Sequence, residues 1–322
     1  MRGKRLLQFF VPLLCLFVLF FLLATAPGEG ESGEELSAIS VIWREDTPVL
    51  STLRSGMEQA AADLGAELRF LAPEKANDPG EQEALLRREV EGGAEGLILM
   101  PADRGALQEA VSETRAVVVT LETGLEDTAG CIGVDNEALG EALGKLALNG
   151  VPQGGTALLI ASVPGDNAIS ERLEAARSVL EAEGRRVALA VPTSKKPLEK
   201  ALPEYLARTK AAALVAFEPS ALELGAEVVR DIRSDAHAVR RYPPLLYGFG
   251  SSPAIAAGLE QSHVTAIQAQ NDFTAGYLAV LRCIQGIRHL PGEGEVELPF
   301  LSVRRENMYE QERQKLLFPM IH

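Results

Sequence analysis

From Ser37 onward the chain alternates short, continuous apolar runs with longer amphipathic stretches, and this alternation narrows the folds open to it. Runs such as Leu97-Ile98-Leu99-Met100 and Val117-Val118-Val119 have no polar alternate position. Such runs suit strands covered by helices on both faces, the situation of a parallel sheet. The pattern predicts strands at Ala38–Trp43, Glu67–Leu71, Gly96–Met100, Ala116–Leu121 and Cys131–Val134. Between them it predicts helices at Pro48–Leu64, Pro79–Glu91 and Arg104–Thr114, the first with Thr47 as N-cap and Pro48 in its first turn. A second series starts with helix Ala138–Leu148 and strand Ala157–Ala161, followed by helix Ser170–Glu183 and strand Val187–Val191. Helix Leu198–Ala207, strand Ala212–Phe217, helix Ala221–Ile232 and strand Leu245–Gly248 complete it. Two such series predict an α/β fold of two doubly wound parallel-sheet lobes.

The first 35 residues have a different character. Leu6–Ala26 is apolar except for Gln8 and Thr25, and Arg2, Lys4 and Arg5 precede it. Residues 1–27 therefore read as a signal or membrane anchor, and residues 28–36, rich in Gly and Glu, as a solvated tether. Ala24-Thr25-Ala26 has the small-x-small form of a cleavage site, but Pro27 after it opposes cleavage, and the run exceeds an ordinary signal core. An uncleaved anchor is the expectation, with secretion after cleavage as its alternative. The basic flank would hold the N-terminus in the cytoplasm and place the remainder outside.

Charge and motifs remove several function classes. The chain carries 31 Lys and Arg against 45 Asp and Glu, a formal net charge of −14. Because three of the cations precede the anchor, the exterior part is more acidic still, which argues against nucleic acid as a partner. Hydrophobic residues at 47% and charged ones at 24% exclude a disordered chain. No phosphate-binding glycine loop, dinucleotide fingerprint or nucleophile elbow occurs. His237, His263, His289 and His322 are scattered without metal-ligand spacing. The expectation is a protein that is not an enzyme and needs no cofactor or metal. Cys131 and Cys283 read as two buried thiols, with a single bridge as the other option.

Several segments, in order, resemble the periplasmic binding protein type I family, in its sugar-binding branch near the ribose-binding protein. They begin with Trp43 through Pro48, leading into a helix with Ser55-Gly56-Met57, and continue with Glu81-Gln82 and Gly92–Pro101. Val119–Glu122, Val134-Asp135-Asn136 with Gly140, and Ser170-Glu171-Arg172 follow. Gly248-Phe249-Gly250, Gln270–Tyr277 and Arg305–Met308 close the series. The resemblance implies a ligand held between two lobes that close about a hinge of three chain crossings, near Asn136, Gln270 and Phe300. Lobe one would comprise 37–136 plus 271–300, and lobe two 137–270 plus 301–322.

The same resemblance implies an extracytoplasmic solute-binding protein carrying a small polar, sugar-like ligand to an ABC-type permease. A membrane-tethered sensing domain for a partner kinase, and an interaction module without a small ligand, are the alternatives. The family's pocket residues are partly replaced. Its aromatic pair falls on Val49-Leu50, and of its acid–arginine pair Glu122 stays while the arginine becomes Thr123. Another arginine falls on Ser170, an asparagine becomes Pro219 beside Glu218, and an aspartate becomes Gly250. Gln270 at the hinge is kept. The expected ligand-binding set is Trp43, Arg44, Glu122, Asp166, Ser170, Glu218 and Gln270, with Trp43 either a replacement platform or part of the core. Asp166 faces the cleft or caps the following helix. Ribose is expected to bind weakly, since charged hydrogen bonds worth roughly 1.5–3 kcal/mol each are missing.

Overall fold

The computed structural model describes residues 36–163, 165–190, 192, 197–234, 243–292 and 294–318. The expected anchor and nearly all of the tether lie outside the described residues. None of the described helices is long and apolar enough to cross a membrane.

In the first half, β1 (Ser37–Ile42) leads through a 3-10 turn at Pro48–Leu50 into α1 (Ser51–Leu64), and β2 (Ala66–Leu71) follows. Next come α2 (Pro79–Glu91), β3 (Gly96–Leu99), α3 (Arg104–Glu113), β4 (Val117–Leu121) and β5 (Gly130–Gly133). The second half runs α4 (Asn136–Leu148), β6 (Thr156–Ile160), α5 (Asn167–Ala182), β7 (Arg186–Ala190), α6 (Leu198–Thr209) and β8 (Ala213–Ala216). It continues with α7 (Pro219–Ser234), β9 (Leu245–Phe249), α8 (Pro253–Glu260) and β10 (Ala266–Gln270). Then α9 (Asp272–Ile287), β11 (Glu295–Glu297), β12 (Phe300–Val303) and α10 (Gln311–Leu317) complete the chain.

Two six-stranded sheets result, ordered β11-β5-β4-β3-β1-β2 and β12-β10-β9-β8-β6-β7. Every pairing is parallel except β12 on β10. Each sheet therefore has the same doubly wound order, reversing beside its first strand, where α/β sheets open a crevice at the carboxyl ends of their strands. The chain passes between the sheets three times, after β5, after β10 and between β11 and β12.

Close helix packing follows from small residues. A Cβ on Gly56 of α1 would stand 2.0 Å from the Phe273 carbonyl oxygen of α9, and one on Gly276 would stand 2.0 Å from that of Leu53. Only glycine permits this approach, so α9 joins the first sheet's helical cover although it follows the second sheet's β10 in sequence.

The hydrophobic pattern locates the first nine strands to within a residue or two. Several helix boundaries differ. Thr47 makes no side-chain cap, and the regular helix starts at Ser51 after the 3-10 turn. The helix expected from Ser170 begins at Asn167, because the Asp166 side chain accepts from the Ile169 N–H and caps it there. The helix expected from Ala221 begins at Pro219. Beyond Phe249 the structure adds α8, β10, α9, β11, β12 and α10, which the pattern did not single out. Cys131 and Cys283 are free thiols.

Candidate functional site: the interlobe cleft

A cleft lies at the carboxyl ends of both sets of strands. The first sheet contributes Arg44 after β1, Met100 after β3 and Glu122 after β4. From the second come Glu218 after β8, Phe249 at the end of β9 and Gln270 at the end of β10. Glu45 and Asp272 add two more carboxylates, while Val49, Leu50 and Leu53 form an aliphatic wall. Gln82 braces the first-sheet rim from behind. Its amide donates to the carbonyls of Trp43 (3.0 Å) and Met100 (2.7 Å) and accepts from the Ala102 N–H (2.9 Å).

An ion network crosses the cleft. The Arg44 guanidinium, only 5% exposed, donates through Nη1 to Glu122 (3.0 Å) and to Asp166 of the other lobe (2.8 Å). Arg172 of α5, fully buried, donates through Nε to Asn136 (2.8 Å) and through Nη1 to the Phe217 carbonyl (3.1 Å). Its Nη2 stands 3.6 Å from Glu122, and its plane covers the Phe249 ring at 4.6 Å. Three further bonds tie the lobes at the rim: the Arg104 N–H donates to Asn167 (2.8 Å), the Arg104 guanidinium donates to Glu171 (3.3 Å), and the Ser220 hydroxyl donates to Glu45 (3.3 Å).

Burial and pairing set the charges. Burial alone would lower the Arg44 pKa, but Glu122 and Asp166 reverse this and raise it. Burial would push the Glu122 carboxyl up, yet the guanidiniums of Arg44 and Arg172 hold it below the ordinary value. Glu122 also sits at φ +62, a left-handed conformation that costs a non-glycine residue of order 1–3 kcal/mol. Glu218 has a different environment. Burial pushes its carboxyl up to about 7, against the opposing effect of the Ser162 hydroxyl and N–H, both 2.5 Å from Oε1. Asp272 is also raised by burial, although Ser251 and Gln270 donate to it.

Four buried polar atoms in this network have no hydrogen-bond partner among the described residues: Arg44 Nε, Arg172 Nη2, Glu218 Oε2 and Gln270 Oε1. A buried polar atom without a partner costs about 1–3 kcal/mol, so four around one cleft require an explanation.

The structure brings Arg44, Glu122, Glu218 and Gln270 together in the lining, with Asp166 directly behind Arg44. Of the two readings given for Asp166, the structure shows the cap: one oxygen accepts from the Ile169 N–H of α5, while the other accepts from Arg44 and does not line the cleft. Two further residues of the expected set are corrected to positions away from this lining. Trp43 is buried in the first lobe's core, its ring stacked on Phe70 at 5.9 Å, because β1 ends there facing the helices. Ser170 is exposed on the first turn of α5, since that helix starts three residues earlier than its sequence suggests. The expected ligand-binding set left out both Arg172 and Asp272. The run Gln270-Asn271-Asp272, with two polar groups following a fully buried strand, was the available signal.

Comparison with known proteins gives a consistent picture. The profile of the periplasmic binding protein domain matches residues 38–283. No curated protein matches the sequence. Among solved structures, an ABC transporter solute-binding protein from Agrobacterium vitis with bound D-fucose superposes with a TM-score of 0.78 at 17% identity, covering 87% of this chain and 100% of that one. A carbohydrate transporter solute-binding protein from Agrobacterium radiobacter, in complex with D-arabinose, gives 0.76 at 14%, covering 88% and 99%. A chain of the XylFII-LytSN complex gives 0.72 at 18%, covering 84% and 99%. With two doubly wound lobes, a polar cleft at their facing strand ends and a matching profile over most of its length, the chain belongs to the periplasmic binding protein family.

Proposed function

We propose that the protein is an extracytoplasmic solute-binding protein that holds a small polar, sugar-like ligand between its lobes for an ABC-type transporter. The observation that carries this reading is the set of buried, unpartnered polar atoms on residues around one cleft at the strand ends of both lobes. Hydroxyl groups would satisfy such donors and acceptors together. The D-fucose and D-arabinose held by two proteins of this fold support a sugar-like ligand. The Leu6–Ala26 run and its basic flank support an uncleaved anchor, which would keep the binding lobes outside the membrane and close to a permease.

The binding cycle follows from the contacts. The Arg44–Asp166 and Arg172–Glu122 ion pairs and the Ser220–Glu45 bond all join one lobe to the other. Admitting a ligand requires these to part, and the three crossings supply the hinge for such an opening. Closure then re-forms them around the ligand, so ligand and ion pairs share one set of charged groups.

One observation favours a second reading, a tethered domain that reports its ligand state to a partner: a chain of similar fold occurs in the XylFII-LytSN complex. In that reading the cleft keeps its role and the output changes.

A thermal-shift panel of sugars, polyols and nucleosides on residues 37–322 tests the proposal. A ligand at 100 times its dissociation constant adds about 2.7 kcal/mol, an easily measured rise in melting temperature. A sugar-class compound should produce it, with ribose among the weak members. No shift with any compound would refute the reading. Secreted protein beginning at Pro27 would refute the anchor alone.

A further inference from the structure

Within the sugar-like reading, the charges of the cleft specify the ligand further. Arg44 is met by Glu122 and Asp166 at 3.0 and 2.8 Å, and Arg172 lies 3.6 Å from the same Glu122. Both guanidinium charges are therefore matched by carboxylates already in place. Of the three carboxylates left in the lining, Asp272 accepts from Ser251 and Gln270; the other two are Glu218 and Glu45, one from each lobe, and the charge of Glu45 raises the Glu218 pKa while that of Arg44 offsets part of the rise. Neither forms an ion pair among the described residues. Glu218 is 1% exposed, its Oε1 is taken by Ser162, and its Oε2 has no partner; Gln270, 7% exposed, likewise has a free Oε1. These are two buried acceptors in one lining, one of them on an uncompensated acid.

We infer that the ligand carries a protonated amine on a hydroxylated frame, an amino-sugar-like compound whose ammonium is received by Glu218 with Gln270 and Glu45 beside it. An ammonium offers three donors and one positive charge, matching two free acceptors and the surplus acid in one group. A hydroxyl would supply a donor but leave the two carboxylates unneutralised. Arg44 Nε, the free donor on the other wall, fits a neutral ligand oxygen, since its own charge is already met. The aliphatic wall of Val49, Leu50 and Leu53 fits the carbon face of such a frame.

This inference rests on the sugar-like reading, and one experiment separates their fates. Calorimetry at pH 7 would compare D-galactosamine, D-glucosamine and 6-amino-6-deoxy-D-galactose with D-galactose, D-glucose and D-fucose. The expected result is that an amine binds at least about tenfold tighter than its neutral counterpart, the size of a charge-assisted hydrogen bond. Glu218→Gln should remove that preference while circular dichroism shows an intact fold. Glu45→Gln, at the rim, should reduce it by a smaller factor and serves if Glu218→Gln does not fold. Neutral sugars binding as tightly as amines, or a preference that survives both substitutions, would overturn the inference and leave the sugar-like reading intact. Binding by neither series would overturn both.

Discussion

At one end of the cleft, Arg44 and Arg172 meet Glu122 and Asp166, and every charge has an opposite within 3.6 Å. At the other, Glu218 lies equally buried, and among the described residues its carboxylate accepts only from Ser162. The two ends show two outcomes of placing a carboxylate in a dry environment. Pairing holds Glu122 ionised below its ordinary pKa, whereas desolvation drives Glu218 up to about 7. The paired end is therefore a structural clasp between the lobes. The unpaired end has an unmet electrostatic need, and a binding site is the usual place for one.

Arg172 gives the largest test of this contrast. Arg172→Met fills similar space but removes the donor to Asn136 and Phe217 and one of the cations facing Glu122. Breaking a buried ion network by deleting one partner typically costs about 3–5 kcal/mol, so urea unfolding should show a loss of that order. A loss below about 1 kcal/mol would show that the clasp contributes little.

Glu218→Gln should act in the opposite direction. A carboxyl raised in the folded state binds its proton more tightly there than in the unfolded chain. Its stabilising effect is therefore complete below pH 4.5, the ordinary value, and is lost as pH rises to about 7. The amide removes that loss, so the variant should gain about 3 kcal/mol over wild type above pH 7. Below pH 4.5 the gain should vanish. Thermal melts of both proteins across pH 4–8 measure the difference, and parallel curves would place Glu218 in a more solvated setting than its burial indicates.

The smallest effect is expected at Asp166. Asp166→Asn keeps an equally good helix cap for α5 but weakens the bond from Arg44. Stability should fall by about 2 kcal/mol, the scale of a hydrogen bond to a charged group. The lobes should open more readily, visible as a larger radius of gyration in small-angle scattering. Asp166→Ala should cost about 1 kcal/mol more, because it also removes the cap. Equal losses in the two variants would mean that the clasp, and not the cap, sets the contribution of Asp166.

Much of the fold was legible because parallel strands covered on both faces must be continuously apolar, and helices between them must be amphipathic. Val117-Val118-Val119 and Leu97 through Met100 show the first rule directly. The region after Phe249 was less legible. Strand Ala266–Gln270 mixes Ala and Gln, and its burial comes from neighbours on both sides of the sheet and not from its own hydrophobicity. The helix Asp272–Ile287 is apolar enough to find, but nothing local shows that it covers the first sheet. Gly56 and Gly276 decide that by admitting each other's helix backbone, a contact between residues 220 positions apart.

The site divides along the same line. Glu122 could be nominated in advance, because a polar residue ending an apolar strand of an α/β sheet falls at the crevice, and Gln270 because the family resemblance places it at the hinge. Trp43 satisfies the same local rule yet packs on Phe70, since the choice between cleft and core depends on which neighbour fills the adjoining space. The sequence by itself determined the class of fold, the two series of strands and helices, and the acidic balance, all properties of local pattern and composition. The tertiary structure decided which charges meet. Arg44 and Asp166 are 122 residues apart, and only the facing of two separately wound sheets brings them within 2.8 Å, leaving Glu218 with no ion pair among the described residues.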